Sequence, residues 1–193
     1  LVWHKDFLHI YPKIYSIMQV KRGLVILLVL ISFKAVSQQQ YFITHNWLFI
    51  PGDSIVYAEA DYNDGHWTPL DAGSPWQAFG YQQAGYGWYR FHLKVPTKLK
   101  PAIRNIGFMK IHFGEVSEAA QFYFNGRGLG ESGTLPPRFI KAPQGKAVEY
   151  YISESEIRWD TINIIAVRVY SSDSLKGGIT KGPLFYYVPR ELK

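Results

Sequence analysis

The 193 residues are 47% hydrophobic and 17% aromatic but only 19% charged, and none is cysteine, so there is material for one packed core and no disulfide scaffold. The formal charge of +6 is concentrated at one end: residues 1–37 hold Lys5, Lys13, Lys21, Arg22 and Lys34 against Asp6 alone, which leaves +2 for the remainder. A basic surface for phosphate backbones is thereby excluded, and no nucleic-acid partner is expected.

Met18 is expected to open a leader. Lys21 and Arg22 precede the apolar run from Gly23 to Phe33, and Ala35-Val36-Ser37 has the small-x-small form of a cleavage site. Residues 1–17 then read as an upstream extension that is not native and 18–37 as a signal peptide. The apolar run falls short of the roughly 20 residues that a spanning helix needs. The expected product is exported, periplasmic or extracellular, with no membrane span in the mature chain.

Residues 38–46, opening on three glutamines, read as a linker. Trp47 to Ile50 is the expected first strand, ended by the turn signal Pro51-Gly52. Between Asp53 and Gly85 periodicity is lost, and the stretch reads as a long aromatic-rich connection of the kind that often carries function. From Gly85 to Val95 a central strand follows, in which Tyr89, Phe91, Leu93 and Val95 alternate with Arg90, His92 and Lys94, one face buried and one wet. Further strands are expected over Ile106 to Val116, Ala119 to Gly130, Val148 to Ile152, Ile162 to Tyr170 and Leu184 to Val188. Asn125-Gly126 marks a hairpin tip, because both positions of the mirror-image turn need positive φ. Ser153 and Glu156 have capping-box spacing for one helical turn. No run after Gly85 is long and periodic enough to predict a helix. Residues 47–188 therefore read as one all-β domain, an antiparallel β-sandwich or jelly roll, with a short tail at 189–193.

Chemistry is harder to place. Ser54 follows Gly52-Asp53 as a nucleophilic serine would, but that mechanism needs a histidine late in the chain, and the six histidines end at His112. A polar turn is the better reading. His92 and His112 read as solvated or hydrogen-bonded strand residues. Asp61, Asn63 and Asp64 are oxygen ligands of the type that hold calcium, without the closing glutamate of the twelve-residue loop. A structural calcium is the only cofactor they suggest. Glu115, Glu118 and the acids of the long connection form no pair that sequence can measure for glycoside cleavage. Aromatic platforms are more promising: Trp67, Trp76, Phe79, Tyr81, Tyr86 and Trp88 are interspersed with Asp, Asn and Gln, and a sugar offers an apolar C–H face with a rim of hydroxyls. Trp67 and Trp88 are assigned to the core. Trp76, Phe79 and Tyr81, with Asp64 and Asn125, form the expected ligand-binding set, and no catalytic residue is expected.

Four segments, DYNDGHW at Asp61 to Trp67, GYGWYRFHLKVP at Gly85 to Pro96, FYFNGRGLGESG at Phe122 to Gly133 and INIIAVRVYSS at Ile162 to Ser172, share an order and spacing. Together they resemble the galactose-binding-like jelly roll that is the N-terminal sugar-binding domain of glycoside hydrolase family 2. The closing GGITKGPLFYY is similar to the accessory domain of sialate O-acetylesterases. The opening WLFIPGDSIVYAEADYNDGHW is similar to the extracellular domain of some bacterial membrane-bound sensors and phosphatases. The resemblance runs from Trp47 to Tyr187 and implies that Trp67 anchors the Asp-rich loop and that Asn125-Gly126 points toward a partner domain or ligand. Catalysis is not implied, since the catalytic groups of those enzymes lie in other domains. The resulting expectation is an exported, non-catalytic carbohydrate-binding-type module whose partner is a carbohydrate or a neighbouring catalytic domain. The alternatives are the N-terminal domain of a family 2 glycosidase, like a β-galactosidase or β-glucuronidase, or of a sialate O-acetylesterase, and the extracellular sensor or interaction domain of a membrane signalling protein.

Overall fold

A computed structural model of the chain describes residues 38–172, 174 and 176–189. The expected extension and leader, and all but the first residue of the tail, lie outside the described residues. Eleven strands are seen among them: β1 (Gln38–Phe42), β2 (Trp47–Pro51), β3 (Thr68–Leu70), β4 (Gly85–Lys94), β5 (Phe108–Val116), β6 (Ala119–Phe124), β7 (Arg127–Ser132), β8 (Val148–Ser153), β9 (Ile162–Ser171), β10 (Ile179–Lys181) and β11 (Phe185–Pro189). They form two sheets, a larger one in the order β3-β2-β4-β9-β6-β7 and a smaller one in which β1, β11, β5 and β10 run in order and β8 also pairs with β5. Every pairing is antiparallel, which makes an all-β sandwich. No helix among the described residues is long and apolar enough to cross a membrane.

The period-2 alternation read from the sequence builds the core between the sheets. Phe49, Tyr89, Leu93, Phe122, Val167 and Val169 of the larger sheet meet Met109, Ile111, Phe113, Ile152 and Tyr186 of the smaller one. Phe113 and Phe122 touch across the interior with ring centroids 4.7 Å apart. At the expected hairpin tip, Asn125 and Gly126 take φ of 50° and 85°, and β6 turns there into β7. The Ser153–Glu156 spacing gives a single 3-10 turn at Glu154–Glu156, where the Ser153 N–H donates to Glu156 Oε2 at 3.0 Å.

Three expectations are corrected. The polar tract at Gln38 is not linker but the start of an edge strand, because ladder hydrogen bonds use backbone groups that any side chain supplies. There Tyr41 lies flat on Tyr186 at 4.8 Å and 9°, so Trp47–Pro51 is the second strand of the fold. A seven-residue helix, α1 (Lys100–Ile106), follows β4; proline sits in its first turn, Ile103 is its buried residue and Gly107 ends it at φ 85°. One apolar contact leaves no periodicity for the sequence to show. Finally, the face of β4 expected to be wet is covered at Arg90, while His92 and Lys94 stay exposed: a second, smaller cluster of Ala58, Trp67, Trp88, Ile164 and Ala166 lies on the outer face of the larger sheet, and the chain after β2 folds back over it.

Candidate binding surface

Arg90 holds that returning chain down. Its side chain is fully buried; Nε donates to Asp64 Oδ2 at 2.7 Å, Nη1 to the carbonyls of Tyr57 and Glu59 at 2.6 and 2.9 Å, and Nη2 to that of Tyr62 at 3.4 Å. The guanidinium also lies 5.6 and 5.8 Å from the ring centroids of Tyr62 and Trp67. His92 Nε2 approaches the same Asp64 oxygen at 2.8 Å. Burial pushes the Asp64 carboxyl up, but hydrogen bonds from His92 and Arg90 and their charges outweigh it and hold the group below the ordinary aspartate range.

Beside this clamp the same face carries a row of polar and aromatic side chains that runs from the buried Trp88 out to exposed Glu131. Register places Trp88, Arg168, Gln121 and Glu131 opposite one another across β4, β9, β6 and β7. Asp53, where the chain leaves β2, takes Arg168 Nε and Nη2 at 2.7 and 2.5 Å and the Trp88 indole N–H at 3.2 Å. Burial opposes the Arg168 charge, and the Asp53 carboxylate more than offsets it. Gln121 Oε1 accepts from Arg168 Nη1 at 3.1 Å and from the Tyr123 hydroxyl at 3.0 Å. Tyr86 lies 4.6 Å from the Arg168 guanidinium, Tyr170 packs on Tyr86 and Phe139, and Tyr123 stacks on Trp88. Next to Tyr123 is a depression of about 340 Å³ lined by Gln121, Phe122, Tyr123, Gly128, Leu129, Gly130 and Glu131.

The five expected ligand residues are not neighbours on one surface. Trp76 is 0% exposed and is correct only as an aromatic anchor, because Gly87 and Gly177 let it wedge so tightly that a Cβ on either would lie 2.7 or 2.0 Å from its ring. No face of it is left for a sugar. Tyr81 packs edge-on to Phe49 at 4.7 Å on the core side of the larger sheet, and Phe79 beside it is exposed. Asp64 is on the opposite face, beneath the folded-back chain. Asn125 holds its turn, donating to Glu156 O and Asn163 Oδ1 and accepting from the Ile164 N–H at 2.9 Å. Trp67 and Trp88 are buried as expected.

Two of the three calcium candidates bond to protein groups, while Asp61 is exposed. Asp64 Oδ2 is taken by Arg90 and His92, and Asn63 Oδ1 accepts the Gly65 N–H at 3.0 Å. Among the described residues no three His, Cys, Asp or Glu side chains gather as a metal site. Three of the acids considered for glycoside cleavage are also committed, Glu115 to Lys181, Glu118 to Lys141 and Asp53 to Arg168, whereas Glu59 and Asp61 are exposed. Ser54 precedes the 3-10 turn Ile55–Ala58, its carbonyl accepting the Tyr57 N–H at 3.1 Å. Sequence reasoning missed Arg168, Gln121 and Tyr123; the available signal was the lone arginine inside the apolar run from Ile162 to Tyr170, opposite in phase to Val167 and Val169.

Solved structures share this architecture. A β-glucuronidase from Bacteroides uniformis matches with a TM-score of 0.62 and 22% identity over 79% of this chain and 18% of that one. A β-glycosidase from Bacteroides vulgatus matches at 0.60 and 22% over 78% and 20%, and a glycosyl hydrolase family 2 member from Bacteroides cellulosilyticus at 0.59 and 19% over 78% and 20%. The fold is a two-sheet antiparallel sandwich that these glycosidase structures also contain. This sandwich spans about a fifth of the length of those proteins. No family model and no curated protein matches the chain.

Proposed function

We propose that this sandwich is an exported, non-catalytic module of carbohydrate-recognition type that works beside a glycan-degrading catalytic domain. The carrying observation is that nearly four-fifths of the chain superposes on a fraction of glycoside hydrolase structures. The open aromatic and amide surface around Arg168 supports the reading, and so does the pairing of Asp53, Glu115 and Glu118 with cations. The test is to incubate the full chain with nitrophenyl β-glucuronide and β-galactoside and to titrate it calorimetrically with the corresponding methyl glycosides. The expected result is no hydrolysis and weak, saturable binding. Turnover, or no binding of any glycoside, overturns the reading.

A second reading makes the chain one domain of a longer family 2 glycosidase, and the coverage of about a fifth of each matched structure favours it. Reading the gene past the Lys193 codon tests it, with an in-frame barrel domain as the expected result.

A further inference from the structure

Of the two glycines lining the depression between β6 and β7, Gly130 is held by its φ of 151° and by Tyr150, 2.7 Å from where its Cβ would lie, but at Gly128 the space has no structural reason to be open. Gly128 lies directly opposite Tyr123 in the ladder, its φ is outside the left-handed region, and a Cβ built on it would meet nothing within 4 Å. Any strand residue could stand there, so the glycine is required by neither backbone nor packing. What its missing side chain does is keep the space next to Tyr123 clear.

The polar groups around that space are set for a ligand with hydroxyls. Gln121 Oε1 accepts from both Arg168 and Tyr123, which fixes the amide orientation and leaves Nε2 as a free-facing donor. Glu131, opposite Gln121 in register, is exposed and has no cation partner among the described residues, whereas Arg168 is matched by Asp53. After burial, the Glu131 charge is also among the causes that raise the Tyr123 and Tyr150 hydroxyls, so its field reaches both rings. The surface therefore offers an aromatic ring, an amide donor and a carboxylate acceptor, with one uncompensated negative charge.

We propose that this depression, about 340 Å³ and so at the small end of ligand sites, binds a single neutral pyranose. Its C–H face lies on Tyr123, Gln121 Nε2 donates to one hydroxyl, and the Glu131 carboxylate accepts from another. Uronate sugars are disfavoured by Glu131. This inference rests on the carbohydrate reading above, and the experiment separates the two.

The full chain is titrated, by calorimetry or amide NMR, with methyl β-galactopyranoside, methyl β-glucopyranoside and methyl β-glucuronide. A neutral glycoside is expected to bind at least about tenfold more tightly than the uronide. Gly128→Trp is expected to lower that affinity at least about tenfold with an unchanged thermal midpoint, and Glu131→Gln to bring the uronide close to the neutral sugar. If Gly128→Trp shifts the midpoint, Gly128→Val, suited to a strand, makes the same comparison. Neutral-sugar affinity that survives filling at Gly128 overturns the site and leaves the carbohydrate reading standing. Uronide binding equal to the neutral sugar in the unsubstituted chain overturns the ligand class. No binding of any of the three overturns both proposals.

Discussion

Arg90 shows how a charge can sit at 0% exposure in the middle of a strand. Four acceptors, one of them charged, replace the water it lost, and without them its desolvation would be prohibitive. Removing Asp64 leaves that guanidinium buried and uncompensated, so Asp64→Ala is expected to cost about 3–5 kcal/mol of stability in urea denaturation. Arg90→Met does not escape, because three backbone carbonyls then lose their donor. By contrast His45→Ala, which breaks an exposed pair with Asp71 at 74% and 51% side-chain exposure, is expected to change stability by less than about 1 kcal/mol. The sign with pH follows from the lowered Asp64 carboxyl. A group whose pKa is depressed by folding contributes stability above its unfolded value, about 4, and loses it as pH falls through the lower folded value. Denaturant midpoints should therefore fall as pH drops below about 4, and the fall should be shallower in Asp64→Asn. Glu118 and Glu149, also lowered against burial by partners that include Lys141 for the first and Lys110 and His112 for the second, maintain part of the slope in that variant.

At the level of elements, β1 gives the clearest disagreement between side-chain pattern and backbone behaviour. Three glutamines carry no apolar rhythm, yet Gln38 to Phe42 run in full register against Pro189 to Phe185. Amide exchange of the full chain should show protection alternating along residues 39–42, as expected of an edge strand bonded on one side. Uniformly fast exchange there would restore the linker. The same logic explains what could be read beforehand. β4, β5, β6 and β9 were legible because each buries alternate residues in one core, and the Asn125-Gly126 turn was legible because its backbone demands those residue types. β3 and β10, three residues each, and α1, with Ile103 as its one buried residue, have too few buried positions to write a period. The clamp of Arg90 on Asp64 was illegible for a different reason: alternation labels an arginine as wet, and only the return of a chain 26 residues away in sequence makes it dry.

Across the whole molecule the larger sheet is sandwiched between two unequal apolar clusters, and their tryptophans should fail differently. Trp76 belongs to the extensive cluster between the sheets, against Phe49, with Gly87 and Gly177 close to its ring. Trp76→Ala leaves a cavity in that main cluster and is expected to cost about 3–5 kcal/mol in a single cooperative transition. Trp67 belongs to the small outer cluster and packs on Tyr57 and Tyr62, residues of the returning chain itself. Losing its ring loosens that chain from Trp88 without opening the interior between the sheets. Limited proteolysis of Trp67→Ala should then cut first between residues 53 and 67 and leave the remaining strands intact, with near-ultraviolet circular dichroism reduced but not abolished. Trp76→Ala should instead be degraded without a stable fragment. If Trp67→Ala unfolds globally, the two clusters are one cooperative unit, and the outer covering is a structural part of the sandwich rather than a separable layer resting on it.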